Sequence, residues 1–163
     1  MGPSDPNARI LAIALAAGLP LACFMATASP YAYWHDGGEF VARAATFGIA
    51  HPPGHPLAGI LHGAFALLPL GSIALRVALA SAFFASVAAA FLYLAIERMV
   101  RVQGIRSPRV FIPLALGGTW LVVGSVGWWF QAVRPEVYAL QAALSCIVLE
   151  RVVALEAAWP TLN

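Results

Sequence analysis

The chain has 163 residues, of which 61% are hydrophobic and only 10% are charged, and its formal net charge is +2. A soluble domain carries about 25% charged residues, so these polar side chains are too few to cover a water-exposed surface. The small net charge and the lack of a basic stripe also argue against a nucleic-acid partner. The composition therefore predicts an all-α, polytopic membrane protein.

Long apolar runs lie between the polar clusters, as in helical membrane proteins. They predict about four transmembrane helices, near residues 10–28, 77–96, 110–130 and 137–155, in one domain covering residues 1–163. The first run could instead be a signal peptide, because Ala26-Thr27-Ala28 resembles a cleavage site, although the run is longer than a usual signal core. In the fourth, Glu150 and Arg151 are expected to snorkel to the interface.

Small residues and cysteines within the spans have structural interpretations. The third span contains four glycines that are expected to allow close helix packing: Gly117, Gly118, Gly124 and Gly127. Cys23 and Cys146 fall within apolar segments and are predicted to be free packing residues.

The segment 29–71 is rich in Gly, Pro, His and aromatic residues and is predicted to be a loop bearing short interfacial helices. Residues 40–49 could form one short helix. Residues 51–56 cannot be helical, because their prolines remove donors and restrict the preceding residues. Residues 57–70 are apolar but too short for a span, which favours an interfacial or re-entrant helix.

The charge distribution predicts the orientation of the chain. Arg98, Arg101, Arg106 and Arg109 make the connector after the second span basic, so the connector should be cytoplasmic. Both termini then lie on the cytoplasmic side. The loops 29–71 and 131–136 should meet on the extracytoplasmic side of the membrane.

Asp36 and Glu39 are the candidate catalytic residues. They lie three positions apart just beyond the first span. A carboxylate at a partly apolar surface can have a raised pKa, which suits a general base. The same spacing also fits a capping box, with Asp36 as N-cap and Glu39 at position N3. Spacing alone slightly favours the cap, and the two roles are compatible.

The histidines His51, His55 and His62 raise the question of a metal site. His51 and His55 are four positions apart, but the prolines between them prevent a helix, and no metal-ligand motif is present. We therefore predict no metal and no cofactor. A hydrogen-bonding role of His51 and His55 towards a phosphate or sugar, or a purely structural turn, remain equal alternatives.

Arg134, Glu136 and Tyr138 lie in the loop between the third and fourth spans. An interfacial ion pair between Arg134 and Glu136 is the simpler interpretation. Alternatively, Arg134 contacts an anionic head group, because a guanidinium matches phosphate geometry. Tyr138, with several tryptophans and tyrosines, fits an aromatic belt at the membrane surface.

Three segments together carry a resemblance to a known family: DGGEF at 36–40, GIAHPPGHPL at 48–57 and RPEVYAL at 134–140. They resemble the amino-terminal region of a membrane group long labelled a domain of unknown function. That group is similar to protein O-mannosyltransferases of the GT-C glycosyltransferase superfamily. His55 stands where the family pattern has an aromatic residue such as tyrosine. Members are usually several times longer, so the chain is expected to be one part of a larger module.

The resemblance implies an inverting sugar transfer from a polyprenyl-phosphate donor to a hydroxyl acceptor, without a metal. It places Asp36 as the base with Glu39 second, Arg134 beside the leaving phosphate, and the turn at 51–56 as a wall of the site. The implied partners are the lipid-linked donor, the bilayer of a bacterial inner membrane and a second chain that supplies missing spans.

Two other classes of function compete with this one. The first is a non-catalytic truncated membrane protein, or a helical partner of a larger complex. The second is a transporter fragment, which should place ionisable groups or broken helices at mid-membrane. The clustering of polar residues in loops counts against a transporter.

Overall fold

Helices account for all the regular secondary structure of the part of the chain that the computed structural model describes, residues 6–158. In chain order they are α1 (Pro6–Thr27), α2 (Gly37–Thr46), α3 (Pro56–Ala66), α4 (Ile73–Val102), α5 (Pro108–Val123), α6 (Val126–Ala132) and α7 (Tyr138–Ala158). The prediction of an all-α fold is confirmed.

Three of these helices, α1, α4 and α7, are long and apolar enough to cross a membrane, and the bent pair α5 and α6 would make a fourth span. Helices suit this setting because they satisfy their own backbone hydrogen bonds in lipid. The prediction of about four spans is confirmed as three continuous spans and a fourth that would be formed by the bent pair. The helix α4 is longer than predicted at both ends, and α7 continues to Ala158.

The third predicted span is not one continuous helix, so that part of the prediction is wrong. The axes of α5 and α6 are bent by 72° at a break after Val123. A Cβ atom at Gly124 would lie 2.8 Å from the carbonyl oxygen of Trp120, so only glycine fits at the end of α5. The Ser125 hydroxyl then caps α6 by accepting the N–H of Trp128. Gly124 therefore lies at a break rather than at the predicted helix–helix contact.

The central helix of the bundle is α4, which packs against every other helix. Its buried face is largely alanine, and small residues let helix backbones approach closely. On α5, a Cβ atom at Gly118 would lie 3.4 Å from the Ile96 side chain of α4, so this glycine does serve close packing as predicted. Cys23 and Cys146 are both free, as predicted.

Two buried carboxylates tie the helices together at one end of the bundle. Glu97 of α4 accepts hydrogen bonds from Arg9 of α1 at 3.1 Å and from Arg101 at 3.2 Å. Glu150 of α7 pairs with Arg98 of α4 at 2.8 Å and also with Arg151. The prediction that Glu150 snorkels to the interface is wrong, because its side chain is only 1% exposed and satisfied by guanidinium groups; Arg151, at 66%, is exposed.

The loops 29–71 and 131–136 meet at the opposite end of the bundle, as predicted. The Ser29 backbone N–H donates to the Val133 carbonyl at 2.7 Å. Ser81 of α4 exchanges hydrogen bonds of 3.2 Å with the backbone of Glu136. The short helices α2 and α3 lie in the first loop, and the proline-containing turn between them is not helical. The side of the membrane that this end faces stays a prediction.

Candidate functional site

A polar cavity of about 310 Å³ opens where the two loops meet. We call it the polar cavity, and its walls combine the start of the first loop with α6, the loop after it and the start of α7. The lining residues are Trp34, His35, Asp36, Phe130, Gln131, Arg134, Glu136 and Tyr138. Four predicted site residues, Asp36, Arg134, Glu136 and Tyr138, thus share one cavity.

Asp36 is the N-cap residue of α2 by position, but its side chain makes no capping hydrogen bond. Glu39 is at position N3, as the capping box requires. Its carboxylate binds His51 instead of turning back to the N-cap. The capping-box prediction is therefore right about position and wrong about hydrogen bonding. The Asp36 carboxylate is left exposed beside the cavity.

Glu39 joins α2 to the proline-containing turn. One carboxylate oxygen accepts the backbone N–H of His51, and the other lies 2.7 Å from His51 Nδ1. These hydrogen bonds hold the pKa of Glu39 below its usual value, and the carboxylate in turn raises the pKa of His51. A carboxylate with a lowered pKa is a weak base, so Glu39 is better suited to positioning the turn than to accepting a proton.

Arg134 and Glu136 form a buried ion pair in the wall of the polar cavity. Both side chains are 3% exposed, and Arg134 Nη2 lies 2.8 Å from Glu136 Oε1. The same nitrogen donates to Gln131, and the guanidinium lies 4.1 Å from the centre of the Phe130 ring. Arg134 Nε and Nη1 are buried and have no hydrogen-bond partner in the described chain. Two of its three nitrogens therefore have no hydrogen-bond partner among the described residues.

Burial raises the pKa of Glu136, and the neighbouring Arg134 opposes this effect. The Glu136 carboxylate also accepts the N–H of Val137. Glu136 is thus a structural counterion that holds Arg134 in place.

The remaining predicted residues lie beside the polar cavity or apart from it. Glu39 and His51 are close to Asp36, and one potential ligand atom of each of the three lies within 4.8 Å of the others. These three residues are where the described chain could hold a metal ion, although Glu39 and His51 already bind each other. His55 does not line the cavity; it begins α3 and packs edge-to-face against Phe40.

The sequence analysis did not assign Phe130 or Gln131 to the site. Phe130 was placed at the end of the third span and Gln131 at the start of the loop 131–136, and their spacing of four and three residues before Arg134 was the available signal. Trp34 was assigned to an aromatic belt, whereas it lines the cavity and contacts Phe130 edge-to-face at 6.3 Å. The two rings offer an apolar surface beside the charged groups.

A second buried basic group, also unassigned by the sequence, connects α2 to α3. Arg43 is buried and contacts His62 Nδ1 at 3.2 Å and the Gly54 carbonyl at the same distance. Burial and the adjacent Arg43 lower the pKa of His62 to about 4, so this histidine is neutral near pH 7. The absence of a side chain at Gly59 leaves room for the Arg43 guanidinium. This contact fixes the helix that carries Asp36.

Comparison with known proteins gives one family. The model of the Protein O-mannosyl-transferase TMEM260 N-terminal domain matches residues 36–160, which contain all the predicted site residues. The chain belongs to this family. Its predicted relation to the protein O-mannosyltransferases is therefore confirmed for this amino-terminal region.

Two relatives carry the same name. Protein O-mannosyl-transferase TMEM260 of Mus musculus is 36% identical over 94 residues, which are 56% of this chain and 13% of the mouse protein. The Dictyostelium discoideum protein of that name is 38% identical over 64 residues, 37% of this chain and 8% of the relative. No solved structure matches. Both relatives are eukaryotic, so they lend no support to the predicted bacterial inner membrane.

Proposed function

We propose that this chain forms the sugar-transfer site of a membrane O-mannosyltransferase that uses a polyprenyl-phosphate-linked mannose and a protein hydroxyl acceptor. The proposal rests on one observation: Asp36 lines the same cavity as Arg134, and two nitrogens of the Arg134 guanidinium have no hydrogen-bond partner among the described residues. Family membership and the names of the relatives support the sugar and the acceptor. We place the site on the extracytoplasmic side, with the amino terminus in the cytoplasm, on the basis of the arginine-rich connector.

The transfer is a single displacement with inversion at the sugar. The Asp36 carboxylate accepts the proton of the acceptor hydroxyl while the hydroxyl oxygen forms a bond to the anomeric carbon. The bond from that carbon to the phosphate oxygen breaks, and the phosphate leaves with the electron pair. Arg134 donates through its Nε and Nη1 nitrogens to the developing charge. Trp34 and Phe130 provide an apolar wall for the sugar ring.

The base has a direct test. Asp36→Asn keeps the shape of the side chain and removes its ability to accept a proton, so the rate of mannose transfer should fall by roughly 10²–10⁴-fold. The measurement is the transfer of radiolabelled mannose from polyprenyl-phosphate mannose to a serine- and threonine-containing protein, in membranes carrying the full chain.

Glu156→Gln is the matched control, because Glu156 is an exposed carboxylate near the far end of α7. It should transfer mannose at the wild-type rate, and both variants should insert and elute like the wild type. An unchanged rate in Asp36→Asn would show that Asp36 is not the base. No transfer by the wild type would favour the alternative, a non-catalytic membrane protein or helical partner.

A further inference from the structure

A cavity of about 350 Å³ lies between α2, α3 and the turn that joins these two helices. We call it the side pocket. Its walls include the apolar side chains of Phe47, Ile49, Pro53 and Ile60, and Arg43 is the charged residue of the lining. Apolar walls of this kind favour an apolar group of a ligand over a polar one.

Arg43 brings one hydrogen-bond donor to the wall of the side pocket. Its side chain is buried; Nη1 donates to the Gly54 carbonyl, and Nη2 contacts His62 Nδ1. Arg43 Nε is also buried, and it has no hydrogen-bond partner among the described residues. A Cβ atom built on Gly59, which lines the side pocket, would lie 3.4 Å from Nε, so this nitrogen lies on the pocket side of the guanidinium.

A single donor of this kind limits the class of ligand. A carboxylate or a phosphate is bound best by two parallel N–H groups of one arginine. In Arg43 both Nη nitrogens already have protein partners, so only Nε is left. One donor beside apolar walls suits a neutral carbonyl oxygen that is attached to an apolar group, which is the chemistry of a peptide residue with an apolar side chain.

A strip of surface joins the side pocket to Asp36. Arg43 follows Asp36 by seven residues along α2, which is about 10 Å at 1.5 Å per residue. Between them lies the hydrogen-bonded pair of Glu39 and His51, both of which reach the surface. His51 belongs to the turn that continues into the pocket wall at Pro53. An extended peptide rises about 3.3 Å per residue, so about three residues would cover this distance.

We propose that the side pocket binds an apolar side chain of the acceptor polypeptide, about three residues away from the hydroxyl group that lies at Asp36. This inference rests on the proposed function, since it names what the acceptor carries beyond its hydroxyl. The apolar walls receive the side chain, and Arg43 Nε donates to a neighbouring backbone carbonyl. The intervening peptide crosses Glu39 and His51. A small hydroxyl compound would reach Asp36 and leave the side pocket empty.

The helix α3 offers a matched pair of variants. Ile60 and Leu57 are both exposed, at 65% and 50%, and only Ile60 lines the side pocket. Ile60→Ser therefore removes apolar surface from the pocket wall, whereas Leu57→Ser removes it from another part of the same helix. Ile49→Ser removes apolar surface from a second wall, and Ile49 is 93% exposed, so this change leaves the core intact.

The experiment uses short peptides of asparagine and glycine that contain a single threonine. Leucine stands three positions before the threonine, three positions after it, directly beside it, or is absent. The measurement is the ratio of kcat/KM with leucine to kcat/KM without it, for mannose transfer by the full chain in membranes. The wild type and Leu57→Ser should prefer leucine at one of the two distant positions by roughly tenfold, because its apolar surface is removed from water. Ile60→Ser and Ile49→Ser should bring this ratio close to unity.

Binding of the same peptides with alanine in place of threonine, measured by calorimetric titration of the full chain in detergent, separates this inference from the proposed function. Leucine-dependent binding that is lost in Ile60→Ser, in a chain that transfers no mannose, would uphold the side pocket and reject the reaction. Transfer that depends on Asp36, with no preference for leucine at either distant position, would uphold the transferase and reject the side pocket. A preference that persists in both pocket variants, or that is equally large for leucine beside the threonine, would also overturn the inference.

Discussion

Replacing Arg134 with methionine tests the buried ion pair in the wall of the polar cavity. The change removes the guanidinium and keeps a flexible apolar side chain beside Phe130. Glu136 then loses its 2.8 Å partner and keeps a single hydrogen bond from Val137. A carboxylate that is 3% exposed would be left without a counterion.

The expected loss in the free energy of unfolding is about 3–5 kcal/mol, the usual cost of leaving one member of a buried pair unpaired. No reduction for solvent screening applies, since both side chains are 3% exposed.

The loss in the free energy of unfolding should depend on pH. Burial already raises the pKa of Glu136 above 4.5, and removing Arg134 raises it further. For such a group, stability is fully present below its unfolded pKa and is lost as the pH rises through the folded pKa. The deficit should therefore be small at low pH and largest in mildly alkaline solution.

The measurement is denaturant unfolding in mixed micelles at an acidic and an alkaline pH. Arg134→Met combined with Glu136→Leu should recover to within about 1 kcal/mol of the wild type, because well-packed apolar residues can replace a buried ion pair. Both variants should lose phosphate binding, which separates stability from ligand recognition. Wild-type stability of the single variant at both pH values would refute the argument.

Two further contacts give testable outcomes. The pKa of His51, followed by NMR titration of its ring, should lie above its ordinary value of 6.5 and return to it in Glu39→Gln; an unshifted His51 in the wild type would show that the pair does not form. Ser81→Ala should reduce the free energy of unfolding by about 1–3 kcal/mol because it removes the hydrogen bonds between α4 and the backbone of Glu136. Ser86→Ala, which removes only a bond within α4, is the control and should cost less.

The sequence predicted the spans because lipid imposes their length and polarity. It could not predict the break between α5 and α6, since glycine is equally compatible with a close helix contact and with a helix end. Gly118 and Gly124 lie in the same apolar run, and only the three-dimensional contacts distinguish their roles. Glu150 was misplaced for a related reason: a charged residue in a span can reach the interface or find a partner, and Arg98 is far away in sequence.

The sequence was sufficient to predict that Asp36 lies near Arg134, because both charged residues are in loops that were predicted to meet at the same end of the bundle. The sequence could not decide what Glu39 binds, because a capping box and a contact with His51 both need a carboxylate at position N3 of α2. It also could not show that the Arg134 guanidinium keeps two vacant donors. That depends on the way Glu136 and Gln131 share a single nitrogen.

The buried carboxylate Glu97 near the end of α4 also allows the depth of the site in the membrane to be estimated. Glu97 and its arginines mark one level of the bundle, and Ser81, which holds the Glu136 backbone, lies sixteen residues earlier on the same helix. At 1.5 Å per residue the separation is about 24 Å along the axis, slightly less than the ~30 Å hydrocarbon thickness of a bilayer. With the arginines among the head groups of one leaflet, the Arg134 loop reaches the inner margin of the other. Under the proposed function, a lipid-linked phosphate would then reach Arg134 while its chain stays in the bilayer, and the proposed transfer would need no step that extracts the donor into water.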